Sequence, residues 1–327
     1  MNGKKPGIVL IIASVIFVGA VGFLVYYFGM MKRADDVNSG LAQMHTSSAA
    51  ETVVITQATT TETTTEATTT ETTTEATTTE TTIVTTEEGP LVLLDSMAPF
   101  VQKNADTAGW IKVGGTTIDN VIVHTDNNDY YLNHDYYGNY SQPGTIFADF
   151  RCVVNDFSAN QSDNIVLYGH NQANGSMFGT LQRYKVTKQN TSRFDFYLEH
   201  PTFEFSNLYH EYTYKIIAAF VLEVEPRQTR TGEVFDYQNY IRFGSKSYTY
   251  DEWMENIMAR TEIITGVDVE KGDKFLTLST CSNEFEPSRF LVIGRRVREG
   301  EDPYVDTSLA RLNPDAVEPD WNYIYGR

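Results

Sequence analysis

The sequence predicts a mainly β domain, a barrel or a sandwich, carried behind an N-terminal membrane helix. Three observations predict it. Near the N-terminus, Pro6 to Met31 are 26 residues without a charge; a Thr/Glu repeat follows; and beyond it come short β-branched or alternating runs separated by turn signals. With 327 residues, 41% of them hydrophobic, the chain is long enough to bury a core. A formal net charge of -18 argues against nucleic acid, whose phosphates demand a basic footprint. Two cysteines exclude a disulfide scaffold and a four-cysteine zinc site. They leave one disulfide, or one working thiol and a bystander.

The charge is unevenly spread. Residues 1–33 hold four basic side chains (Lys4, Lys5, Lys32, Arg33) and no acidic one, and residues 34–90 hold ten acidic side chains and no Lys or Arg. The remaining 21 basic and 33 acidic residues give 91–327 a net of -12.

Residues 1–33 read as a short cytoplasmic stub and a transmembrane signal anchor. Roughly 20 apolar residues span a bilayer as a helix, because each backbone polar group is then satisfied within the segment. Tyr26 and Tyr27 fall where rings favour the headgroup zone. A cleaved signal peptide is the alternative, with Val18-Gly19-Ala20 as its small-residue site. The apolar run continues past Ala20, however, longer than a signal core of about 7–15 residues. The free amino terminus, added to Lys4 and Lys5, places the N-terminus inside and the bulk of the chain outside.

Residues 34–90 read as a disordered Thr/Glu-rich spacer. Between 59 and 80 the nine-residue unit TTTETTTEA repeats, with Glu62, Glu71 and Glu80 in one register and Glu66 and Glu75 in another. Such a tract has little apolar surface to bury, and its like charges repel.

From Leu91 the composition becomes globular. LVLLDSMAPFVQKN (91–104) has apolar residues at helical spacing and predicts a short helix. Strands are expected at 116–125, 144–150, 163–169, 202–207, 212–224, 274–281 and 289–297. YDEWMENIMARTEI (250–263) predicts one internal helix, with Trp253, Ile257 and Met258 on one side. It lies in a long connection, the kind of segment that is often functional. Residues 299–327 form an acidic, Tyr- and Trp-containing extension.

The chemistry-bearing residues lie at three strand ends. Cys281 closes the strand KFLTLSTC, Arg289 opens the next strand eight residues later, and His170 ends LYGH upstream. A strand holds a nucleophile rigid while its side chain opens on a loop. In such an arrangement the thiolate attacks a carbonyl, the imidazole protonates the leaving amine, and the guanidinium steadies the oxyanion. His124, His134, His200 and His210 compete for the imidazole role, and a Cys152–Cys281 disulfide is the non-catalytic alternative.

TLSTC, with YGHN upstream and Arg289 downstream, resembles the sortase family, the membrane-anchored cysteine transpeptidases of Gram-positive bacteria. GWIKVGGTTIDNVIVH, DYYLNHDYYGNYSQPGTIFADFR and LYGHNQANGSMFGTL resemble its class B branch, over roughly residues 91–298. The resemblance implies an eight-stranded β-barrel with an N-terminal helix and a helix in the connection before the catalytic strand. It implies Cys281 as nucleophile, His170 as general acid/base and Arg289 as the oxyanion- and substrate-positioning group. Ser279, Thr280 and Asn283 become substrate-contact candidates. Class B members often carry an acidic residue two places after the cysteine; here Asn283 stands there, with Glu284 next. Cys152 matches no motif and reads as a small buried hydrophobe.

The implied reaction cleaves a sorting signal of the Asn-Pro-x-Thr type after its Thr, through a thioester. The acyl group then passes to a peptidoglycan amine or a pilin lysine. No cofactor and no metal are implied. A free thiol titrates near 8.5 and a free imidazole near 6.5, so the reactive ion pair is a minority species near neutrality and slow turnover follows. An exported cysteine peptidase, with water as acceptor, is the alternative enzyme; a stalked surface receptor with its cysteines paired is the non-enzymatic one.

Overall fold

The computed structural model describes residues 6–59, 91–155, 161–186, 191–239, 241–242 and 248–326. Helix α1 spans Pro6–Thr59. Its uncharged part is long and apolar enough to cross a membrane by length and composition, and side chains such as Val15, Phe17, Val25 and Phe28 project outward from it. Where composition predicts a spacer from residue 34, residues 34–59 continue α1. The reason lies in a stripe: Met31, Ala34, Asn38, Leu41, His45 and Ser48 alternate three- and four-residue steps and so share one helix face. Met31, Ala34 and Leu41 are buried, and the His45 ring lies flat on Trp110, with centroids 4.1 Å apart. From residue 60 on, the Thr/Glu repeat lies outside the described residues.

Helix α2 is Ala98–Lys103, shorter than the 91–104 pattern suggests. Pro99 fits a first helical turn but not an interior, so the helix starts there. Residues 91–94 instead run along the domain, with the Leu94 amide donating to the Leu208 carbonyl at 2.9 Å.

The strands follow: β1 Thr107–Lys112, β2 Asp119–Val123, β3 Phe147–Ala148, β4 Asn164–Tyr168, then, after helix α3 (Phe194–Glu199), β5 Thr202–Asn207 and β6 Glu211–Glu223. Helix α4 (Tyr250–Arg260) and the short β7 (Ile263–Ile264) precede β8 (Phe275–Cys281) and β9 (Ser288–Arg296). A last short strand, β10 (Arg311–Leu312), and helix α5 (Trp321–Ile324) end the chain. The seven expected strands are β2–β6, β8 and β9. The eighth barrel strand, β1, is TAGWIK, whose Gly109 weakens the strand pattern. A Cβ at Gly109 would collide with the Ser206 carbonyl, so close strand approach requires the glycine that hides the strand.

The barrel closes in the order β1-β2-β3-β4-β8-β9-β6-β5, with β5 returning to β1. Only the β2–β3 and β4–β8 pairs are parallel. Closure removes free edges. Phe203, Phe205, Tyr214, Leu276, Leu278 and Val292 fill the interior. Helix α4 is capped by a reciprocal Thr249–Glu252 box and packs Trp253 against Phe275, ring centroids 4.9 Å apart. Ile257 is buried with Trp253, and Met258 is half-buried against the same core.

The C-terminal extension packs on the domain. Glu301 accepts from both terminal nitrogens of the fully buried Arg295 at 2.6 Å and from Lys215 at 2.7 Å. The Arg295 bonds, opposed by partial burial, hold its carboxyl well below the usual range. β10 pairs with β7, Trp321 meets Phe285 edge-on, and the Tyr325 hydroxyl donates to the Glu284 carbonyl at 2.7 Å.

Candidate active site

Strand register brings the site together. β8 and β9 are antiparallel and Cys281 pairs with Arg289, so the end of one strand faces the beginning of the next. Arg289 Nη1 lies 3.5 Å from Cys281 Sγ and donates to the Ser288 carbonyl at 3.0 Å. On the other side of β8, β4 runs parallel with Tyr168 opposite Ser279. His170, two residues past the end of β4, therefore arrives beside Cys281 at the same rim. Cys281, His170, Arg289 and Thr280 line one groove of about 290 Å³, together with Leu132 and Tyr168.

His170 Nε2 is 2.9 Å from the Leu132 carbonyl. A carbonyl only accepts, so Nε2 carries the proton and, in the neutral ring, Nδ1 is bare. No hydrogen bond joins the ring to Cys281 Sγ. The two side chains share a groove without that bond, which in such pairs is often long before substrate binds. Below the thiol, the Cys281 carbonyl is held by Asn171 Nδ2 at 2.9 Å and Gln182 Nε2 at 3.2 Å. The cysteine backbone is thus pinned while its half-buried side chain stays reachable.

The three substrate-contact candidates separate. Thr280 lines the groove, and its buried Oγ1 has no hydrogen-bond partner. Ser279 also lines it, but its hydroxyl is already engaged by the Tyr237 hydroxyl at 2.9 Å. Asn283, in the left-handed region at φ 67°, lines the neighbouring surface on the far side of Cys281 with Phe285 and Pro287. Glu284 is salt-bridged to Lys185, not to the thiol.

One groove wall is fixed by charge. Tyr168 donates to Asp149 at 2.8 Å, and Arg151 reaches the same fully buried carboxylate with Nε and Nη2, both at 2.8 Å. Burial works against that carboxylate, but the bonds from Arg151 and Tyr168 outweigh it and hold the carboxyl below its ordinary range. Both cysteines are free, so the disulfide alternative is not realised. Cys152 is buried, and burial pushes its thiol up to about 12. Among the competing histidines, His134 stacks on Tyr130 and His200 meets Phe196 at a tilt; neither these nor His124 and His210 line the groove. Among the described residues no three His, Cys, Asp or Glu gather as metal ligands.

Sequence reasoning missed the groups that hold the site: Leu132, Asn171, Gln182 and Tyr168. Asn171 follows His170 directly in YGHN, and that adjacency was a usable signal. Gln182 lies on a short 3-10 helix, Gly179–Tyr184, 99 residues before Cys281, and no spacing rule reaches it.

No family model matches the chain. Curated relatives do. The chain is 30% identical over 207 residues to sortase B of Listeria monocytogenes, covering 62% of this chain and 74% of that protein. It is 29% identical over 197 residues to sortase B of Staphylococcus aureus, covering 60% and 72%. Among solved structures, a Bacillus anthracis protein described as similar to sortase B matches with a TM-score of 0.52 at 26% identity, over 64% of this chain and 88% of that one. With the closed eight-stranded barrel and the Cys281 groove, these likenesses show that the chain belongs to the sortase B family and is a cysteine transpeptidase.

Proposed function

We propose that Cys281 is the nucleophile, His170 the general acid/base and Arg289 the oxyanion-stabilising group of a surface-protein sortase whose catalytic domain spans residues 91–298. The observation that carries this is the shared groove, with a guanidinium nitrogen 3.5 Å from the thiol sulfur. The thiolate attacks the carbonyl carbon of the Thr in a sorting signal of the Asn-Pro-x-Thr type. Arg289 donates to the developing oxyanion, where one fixed donor is worth about 3–4 kcal/mol. The C–N bond breaks as His170 gives its proton to the leaving amine, and a thioester remains on Cys281. An acceptor amine then attacks the thioester and loses its proton to His170, the new amide forms, and the thiolate leaves. The acceptor class is a peptidoglycan amine or a pilin lysine.

In this reading α1 anchors the chain in the membrane, with the N-terminus cytoplasmic and residues 34–327 outside. The length and composition of the apolar helix support it. The test supplies a fluorogenic sorting peptide and a graded amine series: product should partition from acid to amide as amine rises. Partitioning that ignores the amine would mean hydrolysis is the real activity.

A further inference from the structure

The loop that carries His170 is tied, at its far end, to the helix that carries the membrane segment. Residues 170–178 form a tight hairpin. Phe178 N donates to the His170 carbonyl at 3.0 Å, Asn171 bridges to Met177, and Gly175 N donates to the Gln172 carbonyl at 2.9 Å. At its base Asn171 holds the Cys281 carbonyl. At its tip Asn174 Nδ2 donates to both carboxylate oxygens of Asp35 on α1, at 3.2 and 3.1 Å. A second support, Thr117 Oγ1, donates to the Gly175 carbonyl at 2.6 Å. The hairpin needs such support. Met177 is buried at φ 52°, a left-handed conformation that a non-glycine residue holds only where its surroundings enforce it.

The α1 side of the contact is built as well. Asp35 lies at the edge of the stripe, beside Asn38, and six residues before Leu41, which enters the cluster of Phe100, Trp110, Val121 and Tyr131. Helical rise puts Leu41 only about 15 Å beyond Met31, the end of the uncharged run.

We propose that the segment of α1 from Met31 to Ser48 is a rigid strut that clamps the His170 hairpin, with Asp35 as a positioning residue acting through Asn174. The strut, not the Thr/Glu-rich segment between 60 and 90, sets the distance of the barrel from the membrane. The inference rests on the roles assigned above to His170 and Cys281 and on α1 as the anchor.

The test uses the full chain in detergent, with a soluble sorting peptide, so that membrane insertion is not required for the readout. Asp35→Ala and Asn174→Ala should each lower kcat for acylation about three- to ten-fold, the size of one hydrogen bond, with KM little changed. Asp35→Asn, which keeps an acceptor oxygen, should recover most of the loss. A charge exchange sharpens the result: Asp35→Lys and Asn174→Asp should each slow acylation, and the double variant should be faster than either. Equal rates for the Ala variants and the parent, or a double variant no better than the singles, would overturn the clamp. A parent that forms no acyl-enzyme would instead overturn the catalytic assignment. Separately, inserting a second copy of residues 62–80 into chains reconstituted in vesicles should leave the rate on a lipid-tethered peptide unchanged. A rate that changes with tract length would overturn the strut, while failure of the chain to insert would overturn the anchor.

Discussion

Cys152 and Cys281 are the same residue in one barrel wall, on either side of β4, yet their surroundings differ in every respect that governs a thiol. Cys152 is sealed in: Val166 N donates to its sulfur at 3.4 Å, and burial raises its thiol to about 12. Cys281 sits where β8 runs out, with a guanidinium at its sulfur, an imidazole in the same groove and its own carbonyl pinned from below. Surroundings, and not residue type, separate the buried thiol from the candidate nucleophile.

The contrast breaks first at the largest effect. Cys281→Ala should lower acyl transfer by on the order of 10⁴-fold or more, the scale of deleting a nucleophile, whereas Cys152→Ala should keep most of it. Single-turnover rates on a fluorogenic peptide measure both, and the reverse pattern would exchange the two roles. Next, Arg289→Ala should cost about 10²–10³-fold in kcat, as loss of an oxyanion donor does, and Arg289→Lys should recover little because its fork geometry is gone. Full recovery by Lys would reduce Arg289 to a point charge.

Iodoacetamide at pH 8 should label one thiol in the native chain, Cys281, and a second only after denaturation. Peptide mapping reads the site, and native labelling of Cys152 would mean the wall is open there. The smallest effect concerns stability near Cys152. Asp149, three residues before it, has a depressed carboxyl pKa in the folded state. Its contribution to stability is therefore present above the unfolded value of about 4 and is lost as pH falls through the lower folded value. Urea midpoints measured from pH 6 to pH 2 should fall less steeply in Asp149→Asn than in the parent, from a lower starting point.

Much of this was legible in the chain. Strand-forming runs placed Cys281 and Arg289 at one hairpin rim and His170 at the end of another strand. The β4–β8 pairing that joins them is parallel and non-local, so no local pattern contains it. β1 was missed because the glycine that permits its close pairing also weakens its pattern. The docked part of α1 was missed because polar and small residues dilute its stripe, which becomes visible only against Trp110 and Phe100. The role of residues 299–326 was unreadable for a related reason: their partners, Arg295, Phe285 and Glu284, lie on other elements.

The central claim is that Cys281 carries a covalent acyl intermediate that an amine resolves. Intact-mass analysis of the full chain, quenched in acid after mixing with a sorting peptide alone, tests it most directly. The account predicts a single adduct with the mass of the acyl half of the peptide. That adduct should map to Cys281, be cleaved by hydroxylamine, and discharge when an acceptor amine is added. An adduct on another residue, one that hydroxylamine leaves intact, or turnover without any adduct on Cys281 would contradict it.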